Sequence, residues 1–202
     1  MIEPTTITNY HRTDTELEEF MLFCIAVAGH NSDTTARLVN EFLADTNGNP
    51  FTYLRSSYRD IDSILMHYRL GPYGQNVSAL RGVFDLDLRT CSLHDLLKVN
   101  GIGHKTARMF LLHSRPDEEH IVLDVHVLRY LRKVCRMKKV PEKTPPKLSQ
   151  RYLDIEDRAK RKVRELHPNL TFAEFDLGIW KEMSGRNKPP TTTHENQSQK
   201  ET

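Results

Sequence analysis

Two residues whose side chains can take part in covalent and acid–base chemistry, Lys105 and Asp124, lie 19 positions apart in the middle of the chain. Lys105 falls in the first turn of a predicted helix, where the helix dipole disfavours an ammonium ion and favours the neutral, nucleophilic amine. Asp124 falls at the start of another predicted helix, where a carboxylate is stabilised as the anion. Considered singly, each residue also has a plainer interpretation, Lys105 as a phosphate contact and Asp124 as a helix cap.

A glycine hairpin, Gly101-Ile102-Gly103, comes directly before the helix that carries Lys105. Two glycines around one apolar residue let the chain turn between helices, because no Cβ obstructs the backbone. The N–H groups at the start of the second helix then point outward at the positive end of its dipole. We therefore expect the hairpin, with His104 and Thr106, to bind a backbone phosphate group without reading base sequence. An ordinary corner between two helices is the alternative.

The elements that position these residues are predicted to be helices. Apolar residues recur at intervals of three and four, and no stretch alternates apolar and polar residues long enough to form a strand. The spacing predicts helices at about 17–28, 32–44, 59–68, 74–84, 92–99, 104–112, from 124 onward, 148–166 and 171–183, with a turn at 46–50. Helix caps are predicted at Asn31 or Ser32 and in capping boxes at Thr15–Glu18, Ser92–Asp95 and Thr171–Glu174. The fold class is therefore all-α.

Composition narrows the class of protein further. The chain has 202 residues, 38% of them hydrophobic and 28% charged, which is enough to bury a core as one domain or two small lobes. Its longest apolar run, at 20–29, is too short to span a bilayer, and no secretion signal is predicted. The three cysteines (Cys24, Cys91 and Cys135) are far apart, which argues against disulfides and against a zinc or iron–sulfur site. We therefore expect no metal, no cofactor, no membrane and a reducing intracellular setting.

Positive charge is concentrated in one block. The net charge is only +2, but residues 129–164 contain 14 Lys and Arg against 4 Asp and Glu. Such a block attracts phosphate groups. A solvated helix face is the alternative interpretation.

Two segments carry a family resemblance. GIGHKTA followed by VLDVHVLRYL resembles the helix-hairpin-helix (HhH-GPD) DNA glycosylase superfamily, whose motif is a Gly-hydrophobic-Gly hairpin, a lysine and a later aspartate. The chain is most similar to the cluster-free, archaeal-type 8-oxoguanine DNA glycosylase/AP lyase family, over about residues 17–184. The resemblance implies one compact helical domain at 1–184, with two lobes and the active site between them. Residues 1–12 are predicted to form a loosely held arm, and the polar residues 185–202 a disordered tail.

The resemblance also implies an activity. Double-stranded DNA with a damaged or modified base, 8-oxoguanine above all, would be bent and the base flipped into a pocket. Lys105 would attack the sugar and form a Schiff base that can lead to strand cleavage. Asp124 would stabilise the cationic sugar and move protons. On this basis the protein would be a monomeric enzyme of the cytoplasm or nucleoid.

The pocket for the base is predicted from two places. Asp176 and Trp180 are four residues apart and so share one face of the last helix, where the ring could stack on a base and the acid could bond its edge. Core packing is the alternative for Trp180. The family places part of its pocket where His30 and Asn31 lie in this chain.

Two other functions remain open from the sequence. Phage proteins that hypermodify thymine resemble the same superfamily and attach an amino acid or amine to an activated 5-hydroxymethyluracil in DNA; such a protein would be phage-encoded and act in the host cytoplasm. The second is a non-catalytic DNA-binding module that uses only the hairpin and the basic helices. The presence of both Lys105 and Asp124 argues against this module, because phosphate binding alone requires no such pair.

Overall fold

A computed structural model describes residues 1–71, 73–147 and 150–184. Over these ranges the chain forms helices and no strand, so the all-α prediction is confirmed. A short 3-10 turn at Pro4–Thr6 is followed by α1 (Asp14–Ala26), α2 (Ser32–Asp45), α3 (Pro50–Ser56), α4 (Ile61–His67), α5 (Tyr73–Val83), α6 (Leu93–Lys98), α7 (His104–Ser114), α8 (Val125–Lys133), α9 (Gln150–Leu166) and α10 (Phe172–Met183). None of these helices is long and apolar enough to cross a membrane. The predicted tail, 185–202, lies outside the described residues.

Most of the predicted helix starts are confirmed, and two predictions are wrong. Asn31 caps α2, and the capping boxes that open α6 and α10 are both present. Helix α1 instead begins with the capping box Thr13–Glu16, two residues before the predicted box Thr15–Glu18. Both pairs have the same spacing, so packing of the helix decides between them. Helix α3 begins where only a turn was predicted, because Pro50 at its first position has a suitable φ and no N–H to leave unpaired.

The helices enclose two hydrophobic clusters that meet at α7. The first cluster is formed by α1 to α6 with the N-terminal part of α7, up to Leu111. The second begins at Leu112 and is completed by α8, α9 and α10. Met109, on the same helix, packs against both clusters. Helix α7 is therefore covered on two sides, one by each hydrophobic cluster.

The first 12 residues are held firmly, so the prediction of a loose arm is wrong. Ile2 and Ile7 are buried in the first cluster, although the segment has no helical periodicity. The Asn40 side chain accepts from the Ile2 N–H at 2.7 Å and donates to the Ile2 carbonyl at 2.8 Å. The buried guanidinium of Arg12 donates to three carbonyl oxygens, those of Ile7, Asn9 and His113. These bonds fix the segment against the C-terminal end of α7.

A buried ion pair joins α7 to α9. Arg108 is 2% exposed and Glu156 is 4% exposed, and the two groups are joined by contacts of 2.6 and 2.8 Å. Glu156 also accepts from the Ile121 N–H at 3.1 Å, and the Arg108 guanidinium lies 4.7 Å from the ring centre of Tyr152. Burial by itself would raise the pKa of Glu156, but contacts with His120 and Arg108 lower it to about 2. The carboxylate is therefore charged inside the protein.

The variant Glu156→Gln is expected to lower the free energy of unfolding by about 3 kcal/mol at neutral pH, because it leaves Arg108 buried without a counter-charge. The folded pKa of Glu156 is depressed, so its stabilising contribution is present above the ordinary value of 4.5 and is lost as the pH falls toward about 2. The difference between wild type and variant should therefore narrow in acid. Denaturant unfolding at neutral and acidic pH measures it.

The matched control is Asp157→Asn, because Asp157 is the next residue and its side chain is 65% exposed in a surface pair with Arg161. Its effect on stability should be small at every pH. Equal effects of the two substitutions would contradict a stabilising role for the buried pair.

Candidate active site

A cleft of about 720 Å³ lies between the two hydrophobic clusters. Phe23 of α1 and the C-cap residue Val27 line one side, and Val122 lines the other. The cleft is also lined by all six side chains predicted to act in catalysis or base binding: Lys105, Asp124, His30, Asn31, Asp176 and Trp180. Residues from four separate parts of the chain therefore converge on one site.

Helix α7 places Lys105 at the cleft. Gly103 is the N-cap of this helix and has no side chain with which to accept from its first N–H groups. Lys105, the second residue of the helix, is half-buried, and Met109 lies one turn further along the same face of the cleft. The amine is thus carried by a half-buried side chain in the first turn of a helix.

Asp124 is the N-cap of α8, as predicted. One carboxylate oxygen accepts from the N–H groups of His126 and Val127, each at 2.8 Å. The expectation that its anion is stabilised is nevertheless wrong. Burial raises the pKa of Asp124, the negative charge of Asp176 raises it further, and Lys105 and the Val127 N–H lower it by less. Asp124 therefore holds a proton more readily than an ordinary aspartate.

The Asp176 carboxylate contacts a buried histidine, His113, that was not predicted from the sequence. One carboxylate oxygen lies 3.1 Å from Nε2 of His113, which is fully buried at the end of α7. The other ring nitrogen of His113, Nδ1, lies 2.8 Å from the hydroxyl of Thr8. Thr8 and His113 are 105 residues apart in the chain, so no local pattern could indicate this contact.

The other residues that line the pocket differ in their exposure and in the hydrogen bonds that they already make. His30 is exposed at the mouth of the cleft, and Trp180 is half-buried on α10. The side-chain oxygen of Asn31 caps α2 by accepting from two backbone N–H groups, so its amide nitrogen is the group left for a ligand. His126 also lines the cleft, and its Nδ1 is buried with no hydrogen-bond partner among the described residues. The position of His126, two residues after Asp124, is the sequence feature that could have indicated it as a residue of the site.

The two glycines of the hairpin have different surroundings. Gly101 has φ +92°, and a Cβ there would lie 2.5 Å from the Gln75 carbonyl oxygen, so only glycine fits. A Cβ on Gly103 would meet no atom within 4 Å. The backbone at Gly103 therefore faces open space beside the first turn of α7.

The other hairpin residues offer main-chain groups alone. Ile102, His104 and Thr106 are buried, and the ring of His104 stacks on Tyr152 at 4.6 Å while its Nδ1 contacts Arg108 at 2.7 Å. A contact of His104 or Thr106 with a phosphate group would have to be made by its N–H group, whereas the Ile102 N–H already donates to the Val99 carbonyl at 3.3 Å.

The cysteines do not come together. Cys24 and Cys91 are buried, Cys135 is half-buried, and all three are free thiols. Over residues 1–71, 73–147 and 150–184, no group of three or more His, Cys, Asp or Glu side chains is arranged to hold a metal ion.

Comparison with known proteins gives matches to solved structures alone. No protein-family model matches the chain, and no curated protein sequence matches it. The 8-oxoguanine glycosylase/lyase of Methanocaldococcus jannaschii, solved with a 15mer DNA containing 8-oxoguanine, has a TM-score of 0.65 and 22% identity over 87% of this chain and 84% of that one. The 8-oxoguanine DNA glycosylase of Thermotoga maritima has a TM-score of 0.66 and 23% identity over 86% of this chain and 82% of that one. These neighbours are consistent with the resemblance in the sequence, and the chain has the helix-hairpin-helix fold of the archaeal and bacterial 8-oxoguanine DNA glycosylases.

Proposed function

We propose that the protein is a DNA glycosylase and AP lyase that excises an oxidised base, 8-oxoguanine above all, from double-stranded DNA. The observation that carries the proposal is the convergence of four side chains on one cleft: Lys105, Asp124, Asp176 and Trp180. The cleft lies beside the glycine hairpin, where the backbone at Gly103 faces open space. An amine, a proton-holding carboxylate, and an aromatic ring near a hydrogen-bonding acid are the groups that base capture and sugar attack require. The structural neighbour from Methanocaldococcus jannaschii was itself solved with DNA that contains 8-oxoguanine.

The chemistry follows from where these groups lie. The neutral amine of Lys105 forms a bond to the anomeric carbon of the flipped nucleotide while the bond to the base breaks. The base leaves with the bonding electrons and takes up a proton. Asp124 serves as the nearby acid and base, because its raised pKa lets it accept the proton that the attacking amine loses and pass it on. Opening of the sugar ring gives a Schiff base, and loss of a proton from the neighbouring carbon then expels the 3′-phosphate.

Lys105→Gln is expected to abolish covalent trapping. Borohydride reduces a Schiff base to a stable amine, so wild-type protein should form a protein–DNA adduct with 8-oxoguanine duplex and with abasic duplex. The glutamine variant should form none, because an amide is no nucleophile for this step. Lys98→Gln is the matched control, since Lys98 lies on the other helix of the hairpin with a side chain 66% exposed, and should retain the adduct. Denaturing gel electrophoresis measures the adduct.

One observation favours a second hypothesis, in which the cleft joins an amine to an activated 5-hydroxymethyluracil. Asp176 lies close enough to Asp124 that its charge adds to burial in raising the pKa of Asp124, so Asp124 could take the proton of an incoming amine. The amine nitrogen would bond to the 5-methylene carbon as its leaving group departs. An absence of any adduct from wild-type protein on both duplexes would exclude the lyase and favour this transfer.

Gly103→Ala is expected to weaken DNA binding without weakening the fold. An added methyl group meets nothing in the free protein, but it would stand where a phosphate group approaches the N–H groups of α7. Affinity for duplex DNA should fall roughly tenfold, the loss of about one good contact, and fluorescence anisotropy at low and at physiological salt measures it.

The wild-type affinity itself should fall steeply with salt if the block 129–164 contacts phosphates.

Gly178→Ala is the control, because Gly178 also has nothing within 4 Å of an added Cβ. It should bind DNA as wild type does. Equal affinity of the Gly103→Ala variant and wild type would contradict a phosphate contact at the hairpin.

The pH dependence of adduct formation on abasic DNA should report Asp124. Burial and the charge of Asp176 raise the pKa of Asp124, so the rate should begin to fall, as the pH is lowered, at a higher pH than an ordinary aspartate would give. Asp176→Asn removes the neighbouring charge and should move this fall to lower pH. Single-turnover trapping across a pH series measures it, with the exposed Asp154→Asn as the control that leaves the profile in place. A profile that does not move in Asp176→Asn would contradict the coupling of the two carboxylates.

A further inference from the structure

The side chain of Asp176 is held in place by a chain of hydrogen bonds that runs through the buried residue His113 to Thr8. Its Oδ2 lies 3.1 Å from Nε2 of His113, and Nδ1 of His113 lies 2.8 Å from the hydroxyl of Thr8. His113 has no exposed surface, whereas the Asp176 side chain is 16% exposed and lines the cleft. Over the described residues, His113 is the hydrogen-bond partner of Asp176.

The chemistry of the three groups decides the direction of the bonds. An ionised carboxylate can only accept, so Nε2 of His113 carries the hydrogen that faces Asp176. In a neutral imidazole the other nitrogen is then an acceptor, and the Thr8 hydroxyl donates to it. A donor at Thr8 thus selects the histidine tautomer that donates to Asp176. With Oδ2 occupied, the carboxylate presents its other oxygen to the cleft as an acceptor.

Thr8 itself is held in place by the segment before α1. The Asn9 N–H donates to the His113 carbonyl at 3.1 Å, and Arg12 donates to the same carbonyl at 2.7 Å. The Arg12 guanidinium also lies 4.0 Å from the ring centre of Phe20 in the first cluster. The hydroxyl of Thr8 and the ring of His113 therefore belong to one rigid connection from the N-terminal segment to the cleft.

We propose that His113 and Thr8 are positioning residues that hold Asp176 as a hydrogen-bond acceptor for the captured base, and that the site therefore selects bases with N–H donors on their edge. A guanine-type purine, with a ring N–H beside an exocyclic amine, has this edge. A base that presents only acceptors would face the carboxylate oxygen without a hydrogen between them and would be disfavoured. The inference rests on the proposed glycosylase function.

The test compares two reactions of the same protein, excision from 8-oxoguanine duplex and trapping on abasic duplex. Abasic DNA has no base for Asp176 to hold, so its reaction reports folding and the chemistry of Lys105 and Asp124. Thr8→Val, which removes the hydroxyl at nearly constant shape, should lower the ratio of base excision to abasic trapping about tenfold, the effect of losing the hydrogen bond from the base to the charged Asp176 that Thr8 helps to position. Thr8→Ser keeps the hydroxyl and should keep the wild-type ratio. His113→Leu should lower the ratio at least as far as Thr8→Val does.

A double-variant cycle separates positioning from general packing. In an Asp176→Asn background, Thr8→Val should lower the ratio no further, because the group that it positions has already been altered. An unchanged ratio in Thr8→Val, an equal fall of both reactions, or additive losses in the double variant would each overturn the proposal. Failure of the proposed function is distinct, since wild-type protein would then form no adduct on either duplex.

Discussion

Helix α7 is packed on two sides, and this constraint organises the rest of the molecule. A helix shared by two hydrophobic clusters cannot leave its polar side chains unpartnered, because each buried group without a hydrogen bond costs free energy. Arg108 therefore requires Glu156 of α9, and His113 contacts Asp176 of α10 and Thr8 of the N-terminal segment. Each of these contacts ties one more element to α7. The same helix carries Lys105 at its N-terminal end, so the packing that stabilises the fold also places the amine.

Competing electrostatic effects decide how readily Asp124, in the cleft, holds a proton. A helix N-terminus stabilises an anion by about 0.3–1 kcal/mol, whereas burial can shift a carboxyl pKa by several units. At Asp124 burial is the larger effect, and the neighbouring charge of Asp176 adds to it. The hydrogen bonds from His126 and Val127 hold the orientation of Asp124 and oppose the shift only in part. An N-cap with a raised pKa combines a fixed geometry with the capacity to exchange a proton.

Much of the local structure could be predicted because it depends on neighbouring residues. The hairpin, the caps at Asn31 and Asp124 and the boxes at Ser92 and Thr171 were all predicted from short spacings, and each is present. The failures have equally physical causes. Thr13 and Thr15 offer the same capping pattern, and only packing selects one of them. The first 12 residues lack periodicity, so their anchoring by buried Ile2, Ile7 and Arg12 could not be predicted.

The sequence by itself determined the helical class and the glycine hairpin, since a residue's type and its near neighbours set backbone preference and helix capping. The tertiary structure alone decided that six predicted side chains share one cleft, that Gly103 faces open space and Gly101 does not, and that burial raises the pKa of Asp124. It alone brought Thr8 to His113 across 105 positions. Burial and long-range contact are properties of the whole packed chain, and no short segment contains them.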